Sequence, residues 1–199
     1  MQLPDPMLDG DLSVERTINT RRTVRSFDSK ALALKQFSQL LWAAQGITET
    51  GGFKRAAPSA GALYPMDVYA VIGRDCIEKL GPGVYHYGPA DHTLSLVQGE
   101  DRRRDVAGAS LSQMWMADAP LTLVITAEYS RIMGKYRQRG VRYAMIEAGH
   151  IGQNIFLQCQ GMGLEAGIVG AFEDREVIQV MGIKKTHEPL LIMPAGYRR

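Results

Sequence analysis

One stretch constrains the fold more than any other. From Val141 to Met162 the apolar residues Val141, Met145, Ala148, Gly152, Ile155, Cys159 and Met162 follow one another at alternating spacings of four and three. That period belongs to a helix, because a turn of about 3.6 residues returns such positions to one face. Ala144, Ile151 and Phe156 widen the stripe, so the helix is expected in a core. Small residues at Ala148, Gly149 and Gly152 allow another backbone to approach closely. Packing within one chain and packing against a symmetry mate fit the pattern equally well.

Helix and strand patterns alternate elsewhere. Leu121 to Thr126 is apolar on both faces and reads as a central strand covered on both sides. Asp67 to Ile72 is β-rich, and Val84 to Tyr87 and Thr93 to Val97 form a hairpin through Gly88, Pro89 and Asp91. Short strands are expected at Leu164 to Val169 and Pro189 to Met193. Helices are expected at 12–21 on a Leu12, Val14, Ile18 stripe, at Lys35 to Ala44, near Arg102 to Ala109 and near Glu173 to Met181; Thr23 to Ala33 should be irregular. The class is α+β, with a central mixed or antiparallel sheet flanked by helices. No repeat or low-complexity linker divides the 199 residues, so 1–199 reads as one domain.

Charge narrows the partners. Twenty-three basic against 21 acidic residues leave +2, which argues against a nucleic-acid or membrane surface as the main partner. The run Arg102-Arg103-Arg104 is fenced by Glu100, Asp101 and Asp105 and reads as a solvated helix start. Cys76 and Cys159 sit among apolar neighbours and read as small buried hydrophobes. With no secretory leader and no spanning stretch, the cytoplasm is the expected location.

Two segments carry candidate chemistry. Arg21-Arg22-Thr23-Val24-Arg25-Ser26-Phe27 places three guanidiniums and two hydroxyls in seven residues. Guanidinium forks match phosphate oxygens, although a solvated helix end with cations near its dipole reads as well. Pro58-Ser59-Ala60-Gly61-Ala62-Leu63-Tyr64-Pro65 exposes backbone groups between two prolines, which suits a flat ring or an ordinary turn before a strand.

These two segments, together with Lys135-Tyr136-Arg137-Gln138-Arg139-Gly140-Val141-Arg142-Tyr143 and Glu147-Ala148-Gly149-His150-Ile151-Gly152-Gln153-Asn154, resemble the nitroreductase superfamily, and within it the SagB-type branch. The resemblance runs from about Arg21 to the C-terminus. It implies an intertwined homodimer and an FMN cofactor. Arg21, Arg22, Thr23 and Arg25 would bind the phosphate and ribityl chain, and Ser59, Ala60, Gly61 and Leu63 would contact the flavin from the other subunit. Ile168, Val169 and Gly170, within Gly167 to Ala171, would lie against the ring, with Arg198 near the phosphate.

Departures bear on the reaction. Ala62 and Tyr64 stand where many nitroreductases carry amides, which counts against nitroaromatic reduction. Lys135 and Tyr136 match the pair that SagB-type azoline dehydrogenases are proposed to use for proton removal; a surface lysine and a core tyrosine is the other reading. Gly161 to Gly167 follows a helix and has the wrong spacing for a dinucleotide fingerprint. His86, His92, His150 and His187 show no metal-ligand spacing, and His150 with Glu147 reads as a polar pair on the long helix. No metal is expected. The expected function is FMN-dependent hydride transfer between a small organic substrate or NAD(P)H and an acceptor; a flavin-delivery module without its own substrate is the alternative.

Overall fold

In the computed structural model, which describes residues 1–199, Leu121–Ala127 forms β4 and is buried along its whole length. The apolar residues on both of its faces require this. β4 lies between β1 (Met66–Ile72) and β6 (Glu188–Gly196), and β1 is flanked in turn by the hairpin β2 (Gly83–Gly88) and β3 (Thr93–Gln98). The six-stranded order is β3-β2-β1-β4-β6-β5, with β5 being Glu165–Ala166. Every strand pair is antiparallel.

Alternation along the strands splits the core into two layers. Met66, Val68, Ala70 and Ile72 face α2 (Leu34–Gln45) and α5 (Arg139–Gly161), in a cluster with Leu40, Leu41, Ile151 and Ile155. Tyr69 and Val71 turn the other way and pack with Val106 of α3 (Arg103–Ala109) and Val177 and Met181 of α6 (Asp174–Met181). Each fully buried aliphatic or aromatic side chain contributes about 1.5–3 kcal/mol. Cys76 and Cys159 are both free and buried. No helix is long and apolar enough to cross a membrane.

The long helix is confirmed and its packing is now divided. A Cβ at Gly152 would sit 3.4 Å from Leu191 Cδ1 and 3.6 Å from Ile168 and Met193, so that close approach is to the chain's own sheet. Around Gly149 there is open space, and Met145 and Ile146 beside it are exposed. One face is therefore core and another is uncovered.

Other expectations need correction. α1 is only Val14–Thr20, capped by Ser13, and it buries Thr17 while Leu12, Val14 and Ile18 are exposed. That stripe finds no core within its own chain. The strand expected at Leu164 to Val169 shrinks to Glu165–Ala166 and a single bridge from Val169 to Ile192. A further helix, α4 (Ser130–Tyr136), had no legible stripe. Arg103 is not solvated: its Nη1 donates to the Ala119 carbonyl at 2.9 Å while its Nη2 pairs with Asp101 at 2.7 Å.

Candidate active site

After α1 the chain runs alongside the sheet's β5–β6 end. Thr23 bridges Ala166, the Val24 N–H donates to the Ala166 carbonyl at 3.0 Å, and Phe27 bridges Arg198. This path works because residue 167 is glycine: a Cβ there would lie 2.8 Å from the Val24 carbonyl and 3.0 Å from Trp115. The structure thus brings Arg21, Arg22, Thr23 and Arg25 to the segment 167–171 and to Arg198. Arg21 packs over Phe156 at 4.9 Å and Arg25 over Trp115 at 5.9 Å. Burial raises the Glu165 pKa, while the Gln160 hydrogen bond and the charges of Arg198 and Arg22 oppose that rise.

None of Arg21, Arg22, Arg25 and Arg198 has a carboxylate at ion-pair distance, whereas Arg102 holds Glu100 and Asp105 and Arg103 holds Asp101. Cations left unpaired and gathered at one loop make an anion site. Next to them, Gly167 and Val169 donate to Pro194 and Ile192, both at 2.8 Å. The backbone of the intervening Ile168 therefore points away from β6 while its side chain packs toward Gly152 of α5, and Gly170, beyond the bridge, has open space around it. Val169 differs: its side chain is buried in the α3–α6 layer. These residues fit a flavin phosphate beside a flat ring.

The second group forms around the loop between Pro58 and Pro65. Gly61, Ala62 and Tyr64 have φ values of 64°, 53° and 46°, so two non-glycine residues are held in the left-handed region. Such strain costs on the order of 1–3 kcal/mol per residue and persists only where surroundings enforce it. Here Ser59 Oγ accepts from the Tyr64 N–H at 2.9 Å, Tyr64 Oη donates to the Phe53 carbonyl, and Arg55 stacks on the Tyr64 ring at 4.3 Å. A Cβ on Gly61 would lie 2.8 Å from Tyr136 Oη and 3.0 Å from Lys135 Nζ. The side-chain tips of Lys135 and Tyr136, at the C-terminal end of α4, thus meet at the bare backbone of the loop. Tyr136 is fixed edge-on against Tyr143, with ring centroids 5.1 Å apart.

Tyr143, Ser59, Ala60, Ile146, Glu147 and His150 border a cavity of about 260 Å³ next to this meeting point. A larger groove of about 440 Å³, between the N-terminal segment, α2 and α5, contains neither arginine group nor the lysine and tyrosine. In the smaller cavity Glu147 is 1% exposed; Gln45 Nε2 donates to its Oε1 at 3.1 Å, and its Oε2 has no partner. Burial pushes its pKa up to about 7, against the opposing influence of the nearby Ser59 hydroxyl, the Gln45 hydrogen bond and the charge of Arg55. This corrects the expected pairing with His150, which is exposed. A glutamate at a core position of the α5 stripe was the sequence signal that it was special.

Residues 18–197 match the model of the nitroreductase family. The chain belongs to the nitroreductase family. A Methanocaldococcus jannaschii protein named as a nitroreductase is 40% identical over 196 residues, covering 98% of this chain and 95% of that one. The microcin B17-processing protein McbC of Escherichia coli is 28% identical over 175 residues, 85% of this chain and 64% of McbC. Among solved structures, a Ralstonia eutropha protein described as a nitroreductase superposes with a TM-score of 0.85 at 30% identity, covering 100% of this chain and 89% of that one. The E. coli microcin synthetase McbBCD complex gives 0.78 at 26%, covering 95% and 74%. Similarity to McbC and to the trifolitoxin-processing protein TfxB of Rhizobium leguminosarum places this nitroreductase in the SagB-type branch. It is a flavin-type oxidoreductase.

One grouping in this nitroreductase was invisible in the sequence. Asp67, Glu128 and His187, about sixty residues apart along the chain, each place a ligand atom within 4.8 Å of the others.

Proposed function

We propose that this nitroreductase-family chain is a homodimeric, FMN-dependent dehydrogenase of the SagB type, acting on a small heterocyclic substrate such as a peptide azoline. The observation that carries this reading is the meeting of Lys135 Nζ and Tyr136 Oη at Gly61. A proton acceptor beside the flavin loop suits a reaction in which one substrate C–H bond leaves as hydride and a neighbouring proton is removed. The similarity to McbC and TfxB, processing proteins of microcin B17 and trifolitoxin, supports the same substrate class.

Arg21, Arg22, Thr23, Arg25 and Arg198 would hold the FMN phosphate and ribityl chain, with Ile168, Gly170 and the backbone of Val169 along the ring. Ser59, Ala60, Gly61 and Leu63 would come from the second protomer. The exposed apolar residues Leu12, Val14, Ile18, Met145 and Ile146 support such an interface. Bound FMN supplies the two-electron acceptor, with dioxygen as the final oxidant. Lys135 and Tyr136 take the substrate proton, Tyr143 holds the Tyr136 ring in place, and Glu147 keeps a protonatable carboxyl in the adjoining cavity.

The test is anaerobic mixing of FMN-loaded protein with an azoline peptide and, separately, with NADH and NADPH. Flavin bleaching by the peptide, with formation of the oxidised heterocycle, supports the dehydrogenase. Rapid bleaching by NAD(P)H alone would establish a reductase instead. Failure to retain FMN would overturn the reading altogether.

A further inference from the structure

The antiparallel register brings three chain segments together at one end of the sheet. Ala127 of β4 pairs with Met66 of β1 on one side and Glu188 of β6 on the other. Asp67, Glu128 and His187 are therefore neighbours there. Asp67 lies on the same face of β1 as Tyr69, the α3–α6 face.

The side chains are oriented by partners outside the trio. Tyr69 Oη and His187 Nδ1 are 2.7 Å apart, and His86 Nε2 and Asp67 Oδ1 are 2.7 Å apart. With Nδ1 engaged, His187 presents Nε2, which is 3.5 Å from Glu128 Oε2 and forms no hydrogen bond although the residue is only 2% exposed. Asp67 Oδ2, on a residue 8% exposed, also lacks a well-directed hydrogen bond. What now compensates the two carboxylates is Arg131, 2.8 Å from Asp67 and 2.6 Å from Glu128. Its side chain is 35% exposed and sits in the first turn of α4, so it can leave toward solvent.

An ion-pair network alone accounts for the carboxylates but strands His187 Nε2. A cation uses all three. In a tetrahedral zinc site with bonds of about 2.0–2.1 Å, ligand atoms lie about 3.3 Å apart; Nε2 and Glu128 Oε2 are 3.5 Å apart, and Asp67 Oδ2, 3.8 Å from Nδ1 in a trio that lies within 4.8 Å, would swing inward once Arg131 leaves it. One imidazole and two carboxylates form a mixed nitrogen and oxygen set suited to zinc rather than magnesium or calcium. Hydrogen bonds from outside that orient ligating groups are the usual support of such a site.

We propose that Asp67, Glu128 and His187 form a zinc-binding site, completed by water and occupied in competition with the guanidinium of Arg131. The site shares no residue with the proposed flavin site and does not depend on which substrate the enzyme oxidises. Its occupation would release Arg131, four residues before Lys135 on the same short helix.

The experiment is equilibrium dialysis of the FMN-loaded protein against micromolar Zn²⁺, with metal per chain measured by mass spectrometry. Wild type should bind one equivalent. Arg131→Ala should bind about fivefold more tightly, because the guanidinium that competes for both carboxylates is gone. His187→Gln and Glu128→Gln should lose the equivalent, while His150→Ala, which removes an exposed imidazole elsewhere, should keep it. Circular dichroism confirms folding of each variant; should His187→Gln not fold, Glu128→Gln and Arg131→Ala decide. Absence of zinc from both wild type and Arg131→Ala, retention of zinc by Glu128→Gln, or unchanged affinity in Arg131→Ala would overturn the proposal.

Discussion

Glu147→Gln should make the protein more stable at alkaline pH and leave its stability almost unchanged at pH 5. The native carboxyl titrates near 7, against an ordinary value of 4.5. Because the folded value is raised, the folded state binds more protons than the unfolded one between these two values. Stability contributed by the neutral carboxyl is thus fully present below about pH 4.5, falls as pH rises and is lost above about pH 7. A separation of about 2.5 pH units, at about 1.36 kcal/mol per unit, makes the total about 3 kcal/mol. The side chain is almost wholly buried, so solvent screening does little to reduce it. Glutamine keeps the oxygen that accepts from Gln45 Nε2, matches the volume and cannot ionise. Urea unfolding followed by circular dichroism at pH 5, 7 and 8.5, at constant protein concentration and saturating FMN, provides the measurement. Wild type should weaken between pH 5 and 8.5 by more than the variant does, with the gap approaching that total. Parallel pH profiles for the two proteins would show that Glu147 is ionised in the native state and that its burial is offset by a partner.

Arg21→Ala should raise the FMN dissociation constant by about 10- to 100-fold, the loss of a charge-assisted phosphate contact, and Arg104→Ala should leave it unchanged; flavin fluorescence titration checks both. Tyr136→Phe should lower turnover on the order of 10²-fold while retaining FMN, and Lys135→Met combined with it should give a less than additive further loss if the two act as a unit. Gly61→Ala should reduce turnover as well, since its Cβ would displace Tyr136 Oη and its φ of 64° disfavours a side chain. Light scattering should find a dimer in wild type, and Ile146→Glu, a charge placed on the uncovered face of α5, should shift it toward monomer.

Local signals were sufficient where one face or both faces of an element meet the core. The α5 stripe and the doubly apolar β4 are legible because burial is written into the residues themselves, and the β2–β3 hairpin because Gly88, Pro89 and Asp91 mark its turn. α4 was not, since only Ile132 among its residues is buried and its C-terminal Lys135 and Tyr136 answer to the loop around Gly61 rather than to a core. The stripe of Leu12, Val14 and Ile18 misled for the opposite reason: its period is genuine, but nothing in its own chain covers it.

The arginine cluster, the small-residue loop and the lysine–tyrosine pair could each be named as segments from the sequence, and their joint resemblance to one family pointed to flavin chemistry. Which of these segments adjoin was decided only by tertiary structure. Thr23 reaches Ala166, Gly61 reaches Lys135 and Tyr136, and Asp67 reaches Glu128 and His187 through strand register, which pairs residues distant in sequence and leaves no period behind. The raised pKa of Glu147 belongs to the same class, because it arises from desolvation by groups on other elements. Sequence periodicity records what each residue meets within its own turn or strand, whereas charge, proton affinity and ligand geometry depend on neighbours supplied by the fold.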